Sequence, residues 1–291
     1  MHTHVLRRAL ATLLTASAMT VLVPGAASAA DPGQCMTSAG GRTSDLRPGD
    51  RLASGASLVP TPGKPELVMQ PDGNLVVYAV GNPGGPKLPL WQSGTYGNPG
   101  AYALMQEDGN FVIYKKDGGP QTGGGIWHTA TYGDRDNGYV SASLRDDGTF
   151  MVSGRSAVDR YWSTDTNERH VRVCSTDMAW MRGYWAQSAT VWLVFQKDNN
   201  LVMYRKSDGK AIWGSGTYGS RNVLELELGD GGDLALRELW QNRTVRWHTG
   251  TAGNSGAYAL LQDDGNFVVY KKTGGPGKGG ALWASGTYNK V

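Results

Sequence analysis

The chain has 291 residues, with 28 Lys and Arg against 25 Asp and Glu; its formal charge of +3 falls to +1 (3 minus 2) once Arg7 and Arg8 of the first 30 residues are set aside. That balance excludes the concentrated basic footprint of a nucleic-acid binder. Forty-two glycines, about twice the usual share, sit at turn spacing among short apolar runs, which predicts many tight turns and no low-complexity linker.

In chain order, residues 1–30 carry Arg7 and Arg8, an apolar stretch from Ala9 to Val23, then Pro24 and small residues ending in Ala29 and Ala30. This order predicts an export signal cleaved to leave a mature protein starting near Asp31. The expected product is secreted, extracellular and without a membrane span, since no later segment approaches the roughly 20 apolar residues that a spanning helix needs. The only cysteines are Cys35 and Cys174. In an oxidising compartment they are expected to form one disulfide.

From residue 69 onward one phrase recurs: MQPDGNLVVY (69–78), MQEDGNFVIY (105–114), FQKDNNLVMY (195–204) and LQDDGNFVVY (261–270), with two worn copies, LRDDGTFMVS (144–153) and LGDGGDLALR (228–237). The Gln position falls at 70, 106, 145, 196, 229 and 262, giving spacings of 36, 39, 51, 33 and 33. The outlying 51 predicts two domains of three repeats each, 31–168 and 169–291. A second phrase follows each copy with a Trp at 91, 127, 162, 213, 247 and 283. One aromatic per repeat, at a regular place in a strand-like run, predicts that these rings pack a shared centre. The runs between turns, such as Leu75-Val76-Val77-Tyr78, are rich in β-branched and aromatic residues and lack helical periodicity, so the fold class is all-β.

The recurring polar set is Gln-x-Asp-x-Asn-x-Val-x-Tyr. Recognition of a hexose requires hydrogen-bonding groups that converge beside a small apolar patch, because each hydroxyl donates and accepts. A straight strand would spread the set over roughly 26 Å, so a turn at Asp72-Gly73-Asn74 is required. A three-residue loop ending in a left-handed Asn would pair Pro71 with Leu75 and Gln70 with Val76. The worn copies keep strand-like residues but lose most of these polar groups, so the fold tolerates their absence and the intact copies are candidates for binding.

These residues closely resemble the bulb-type (monocot, snowdrop-type) mannose-binding lectins, over essentially the whole mature chain and in tandem-domain form. The resemblance implies two tandem β-prism II domains, each with three four-stranded sheets around a pseudo-threefold axis. It also implies carbohydrate sites at Gln70, Asp72, Asn74, Val76 and Tyr78; at Gln106, Asp108, Asn110, Val112 and Tyr114; at Gln196, Asp198, Asn200, Val202 and Tyr204; and at Gln262, Asp264, Asn266, Val268 and Tyr270. In such a site Asp and Asn hold the mannose 2-hydroxyl, Gln the 3-hydroxyl and Tyr the 4-hydroxyl, while Val packs on ring carbons. The second domain departs from the family by opening with Trp180, Tyr184 and Trp185.

Expected partners are mannose-containing glycans or polysaccharides, with a homodimer allowed, no nucleic acid and no cofactor. The alternative within the same family is a lectin-like bacteriocin that kills after binding a surface polysaccharide. A glycoside hydrolase is disfavoured because it needs two carboxylates and each motif offers one invariant Asp. No metal site is expected: Asp134 to Gly138 has its glycine one position early for a calcium loop, and His128 and His248 lack ligating neighbours in sequence.

Overall fold

The computed structural model describes residues 41–133, 139–155, 159–240 and 242–291. Among these, all regular structure is β-strand, and no helix is long and apolar enough to cross a membrane. The Asp134–Gly138 segment and Cys35 lie outside the described residues, whereas Cys174 is buried and its N–H donates to Asp177 Oδ2 at 2.8 Å.

Each repeat folds as a three-stranded antiparallel meander, and in the first half of the chain a fourth strand is lent by residues 43–58. Ser57–Leu58 joins Glu66–Met69, Leu75–Val80 and Lys87–Gln92; Arg51–Leu52 joins Tyr102–Met105, Phe111–Gly119 and Gly123–His128; Thr43–Leu46 joins Ser141–Arg145, Phe150–Ser153 and Arg160–Ser163. Strand alternation decides which side chains meet. In the first repeat Leu67, Met69, Leu75 and Val77 are wholly buried against the other two sheets, and the residues between them take the opposite face. The expected tryptophan core is present. Trp91, Trp127 and Trp162 meet edge to face with ring centroids 5.6, 5.6 and 5.4 Å apart. Such contacts each add about 0.5–1.5 kcal/mol beyond the area they bury.

The second half repeats this β-prism around Trp213, Trp247 and Trp283, whose centroids lie 5.6, 5.8 and 5.5 Å apart. Its sheets hold five, four and three strands. The three-stranded sheet has its lent strand reduced to a single bridge, Trp180 to Leu226. The departure falls in the Trp180–Trp185 stretch, where the Pro-Gly-Asp turn of residues 48–50 has no counterpart. The five-stranded sheet gains Asn167–Glu168, which pairs in parallel with Tyr184–Gln187.

An apolar seam of Ala79, Leu88, Trp185, Trp192 and Val194 joins the two sets of sheets. Trp185 Nε1 also donates to Asp147 O at 3.2 Å. The worn copy at 144–153 is thus built into this junction, and Asp147 Oδ2 accepts from Asn167 Nδ2 at 3.0 Å.

Candidate functional site

The turn that gathers the motif sits one residue away from the sequence expectation. Gln70 N–H donates to Asn74 O at 2.9 Å and Gly73 N–H to Gln70 O at 3.0 Å, so Gln70 faces Asn74 and Met69 faces Leu75. The expected pairings of Gln70 with Val76 and Pro71 with Leu75 do not form. The left-handed residue is Gly73, at φ +92°, and not Asn74. Glycine adopts that conformation without a Cβ penalty, and a Cβ here would lie 2.2 Å from Asn98 O. Asn74 is thereby released to begin the returning strand. Gly109, Asn199 and Gly265 take the same role at φ +85°, +75° and +81°; asparagine is among the few residues that tolerate it.

With this register Gln70, Asn74, Val76 and Tyr78 share the outer face of one hairpin and Asp72 stands at its tip. The other three intact copies repeat the pairing. In each, Asp Oδ1 accepts the N–H of the Asn two residues on, at 2.9 Å in all four. The second carboxylate oxygen of Asp72, Asp108, Asp198 and Asp264 has no partner among the described residues.

Each Asn is oriented from behind. Its Oδ1 accepts a backbone N–H, from Thr95 at 3.1 Å, Thr131 at 3.2 Å, Thr217 at 3.3 Å and Thr287 at 3.3 Å. The same oxygen accepts a hydroxyl, from Ser93 at 3.1 Å, Thr129 at 3.2 Å, Ser215 at 3.0 Å and Ser285 at 3.0 Å. Because a backbone N–H can only donate, the amide is fixed with Nδ2 directed away from it. These hydroxyl residues were missed by sequence reasoning, which used the second phrase only for its tryptophan. The available signal was a Ser or Thr two residues after each Trp and a Thr four residues after it, in all six repeats.

Gln Nε2 donates to the Tyr hydroxyl at 2.8, 2.7, 2.7 and 3.1 Å in the four copies. That bond spans the cross-strand pair containing Val76, Val112, Val202 or Val268, each left only 2, 6, 5 and 2 % exposed. The valine is therefore a buried floor and presents little open surface. Burial pushes the Tyr78, Tyr114, Tyr204 and Tyr270 phenols above their ordinary 10.0, against the opposing pull of the Gln hydrogen bond. Each phenol accepts from Gln and leaves its own proton without an acceptor among the described residues, with the Tyr114 and Tyr270 rings themselves only 6 % exposed. The outward set is then an acidic acceptor, an amide donor, a Gln carbonyl acceptor and a phenol donor, which suits adjacent hydroxyls of a polyol.

One lining position differs among the copies. Across the strand from the valine stand Gln92, His128, Gly214 and Ala284. Asn74 Nδ2 donates to Gln92 Oε1 at 2.9 Å. His128 instead accepts the Ala130 N–H at 3.1 Å, and Nδ2 of Asn110, Asn200 and Asn266 has no partner among the described residues. In the worn copy at 228–237 the groups pair internally: Asp233, in the Asn position, meets His248 Nδ1 at 2.9 Å, and Arg237, in the Tyr position, meets Glu227 at 2.8 Å. No cluster of three or more His, Cys, Asp or Glu that could hold a metal occurs among the described residues.

No protein-family model matches the chain. It is 31% identical over 99 residues to a mannose-specific lectin of Aloe arborescens, a match spanning 77% of that protein and 32% of this chain. It is 35% identical over 94 residues to mannose-specific lectin 3 of Crocus vernus, covering 38% of that longer protein and 32% of this chain. Among solved structures, the mannose-specific agglutinin of snowdrop (Galanthus nivalis) complexed with methyl-α-D-mannoside is 30% identical. That similarity covers 43% of this chain and 97% of the snowdrop chain, with a TM-score of 0.31.

Proposed function

Because the chain belongs to the bulb-type mannose-binding lectin family, we propose that it is a carbohydrate-binding lectin taking mannose or mannose-like residues at its four intact motif copies. The observation that carries the reading is the pair of outward groups at each hairpin tip. Among the described residues, one Asp oxygen and, in three of the four copies, one Asn amide stand unpartnered while their other atoms are held by the turn and by the Ser and Thr hydroxyls. A single sugar hydroxyl donates to the Asp and accepts from the Asn. A second hydroxyl donates to the Gln carbonyl, and a third accepts from the Tyr phenol.

In this proposal residues 1–30 direct export and are removed, and 31–168 and 169–291 are two lectin domains acting outside the cell. Cys35 and Cys174 form a bridge closing 139 residues (174 minus 35); the chain-entropy model puts such a closure at about 5 kcal/mol as an upper bound. Linked peptides in a mass spectrum of the unreduced protein support it, and two thiols by Ellman titration refute it. The reading is one of binding without reaction. Each site offers one carboxylate where glycoside hydrolysis uses two, and the adjacent Asp263 accepts the Ala189 N–H at 2.8 Å.

A shallow site of a few hydrogen bonds binds a free hexose at about millimolar level, near −4 kcal/mol. Two or more sites on one branched polysaccharide raise avidity by roughly 10²- to 10⁴-fold without new contacts. The test is retention on immobilised mannan by surface plasmon resonance. The mature chain is expected to dissociate slowly, and a variant with Asp72, Asp108, Asp198 and Asp264 all changed to Ala is expected to pass through. Equal retention of the two proteins refutes the assigned sites.

A further inference from the structure

Four tyrosines outside the motif share one place in the repeat. Tyr96, Tyr132, Tyr218 and Tyr288 each follow the Thr whose N–H holds the Asn carbonyl, and they are 68, 60, 69 and 60 % exposed. The two worn copies have Asn167 and Ala252 there. The ring is thus present wherever the motif is intact and absent wherever it is worn. Packing does not account for it: an aromatic side chain left largely in water contributes little to the core.

The backbone places these tyrosines beside the hairpin tip that carries the site's Asp and Asn. On one side of Tyr96, Thr95 N–H donates to Asn74 Oδ1 and the Thr95 hydroxyl to Gly73 O at 2.6 Å; on the other, Asn98 N–H donates to Asp72 O at 3.0 Å. Tyr132 lies between Thr131 and Gly133, whose N–H donates to Asp108 O at 3.0 Å, and Tyr218 between Thr217 and Gly219, whose N–H donates to Asp198 O at 3.2 Å. Each tyrosine Cα is therefore one residue step, about 3.8 Å, from a residue hydrogen-bonded to the Asp or Asn of its site. The worn copy at 228–237 has the same wrap, with Thr251 N–H on Asp233 and Asn254 N–H on Gly231 O, yet carries alanine. The wrap does not need the ring.

We propose that Tyr96, Tyr132, Tyr218 and Tyr288 form an aromatic shelf for the sugar residue adjoining the one held by Asp and Asn, so that each intact site reads at least a disaccharide. The inference rests on the sugar-site reading above. A pyranose offers an apolar C–H face to an aromatic ring, and an exposed ring beside a small polar site receives that face from the next residue of a glycan chain.

The test is calorimetric titration of the mature protein and of a variant carrying Tyr96→Ala, Tyr132→Ala, Tyr218→Ala and Tyr288→Ala, with methyl α-D-mannopyranoside and with a linear mannotriose. The exposed positions leave the fold intact, which a thermal melt checks, and the corresponding four Tyr→Phe changes keep the stacking face. The expected result is monosaccharide affinity unchanged within about twofold and trisaccharide affinity reduced about three- to tenfold, restored by phenylalanine. Trisaccharide binding that survives the alanines overturns the shelf, as does equal loss of both sugars, which would put the rings inside the primary site. A wild-type protein that binds neither sugar overturns the site assignment itself, and the shelf with it.

Discussion

The hydrogen bond from Asn74 Nδ2 to Gln92 Oε1 predicts that the first intact site is the weakest of the four and that Gln92→Ala strengthens it. In the proposed mode a sugar hydroxyl accepts from the same amide group, whose two hydrogens are here shared with Gln92, so Gln92 competes with the sugar for the better-placed one. Gln92 is exposed, and its bond competes with water, which places its net worth at about 0.5–1.5 kcal/mol. Removing the competitor should lower the dissociation constant at this site about two- to tenfold. The measurement needs a chain in which Asp108, Asp198 and Asp264 are Ala, so that only the first site reports. NMR shift perturbation by methyl α-D-mannopyranoside, with and without Gln92→Ala, gives the two constants. The converse change, Ala284→Gln in a chain retaining only the fourth site, should weaken it by a similar factor. Unchanged or poorer binding after Gln92→Ala would show that Gln92 assists the ligand, and the competition argument would be wrong.

Three more outcomes follow from the same geometry. Asp264→Asn keeps an oxygen to accept the Asn266 N–H but replaces the outward acceptor by a donor; the melt should hold while binding at that site falls by about 1.5–3 kcal/mol, and a destabilised turn would refute the separation of roles. The four motif phenols are held above 10.0 by burial. Their stabilising contribution is full below that value and is lost as pH rises through the higher folded one, so stability and sugar retention that begin to fall well below pH 10.0 would contradict their placement. Ala130 occupies a left-handed conformation, φ +58°, where four other repeats have glycine. Ala130→Gly relieves about 1–2 kcal/mol against about 0.4–1 kcal/mol lost to unfolded-state freedom, so calorimetry should show a small rise in melting temperature, and a fall would contradict the conformation.

The all-β class and the tryptophan core were legible because both are periodic: one Trp per repeat, at a fixed place after each Gln-to-Tyr phrase, has few structural explanations. The hairpin register was not, because Asp-Gly-Asn contains two residues able to turn left-handed. The left-handed residue is Gly73 in the first repeat, packed against Asn98 O of a segment 25 residues downstream (98 minus 73), and Asn199 in the third, so the local triplet alone does not name it. The Ser and Thr clamp has a regular pattern, but hydroxyls beside tryptophans are equally common at ordinary strand edges, and the pattern alone does not point to the Asn they orient. Gln92 offered no pattern at all, since its counterparts are His128, Gly214 and Ala284. Its effect exists only through one contact to Asn74. The five- and three-stranded sheets were foreshadowed by the missing Pro-Gly turn near Trp180, but the added Asn167–Glu168 strand depends on the junction between the two sets of sheets.

The strands lent by residues 43–58 set the order in which the first prism can be completed. Thr43 pairs with Arg145, 102 residues away (145 minus 43), although it leaves the ribosome before every repeat it helps to close. The three hairpins are local and form quickly, whereas this last pairing waits for the third repeat and carries the entropy of a long loop. Until then the outer edge of Ser141–Arg145 is unpaired. The first strand of the described residues is therefore expected to be the last seated, a latch closed against the direction of synthesis.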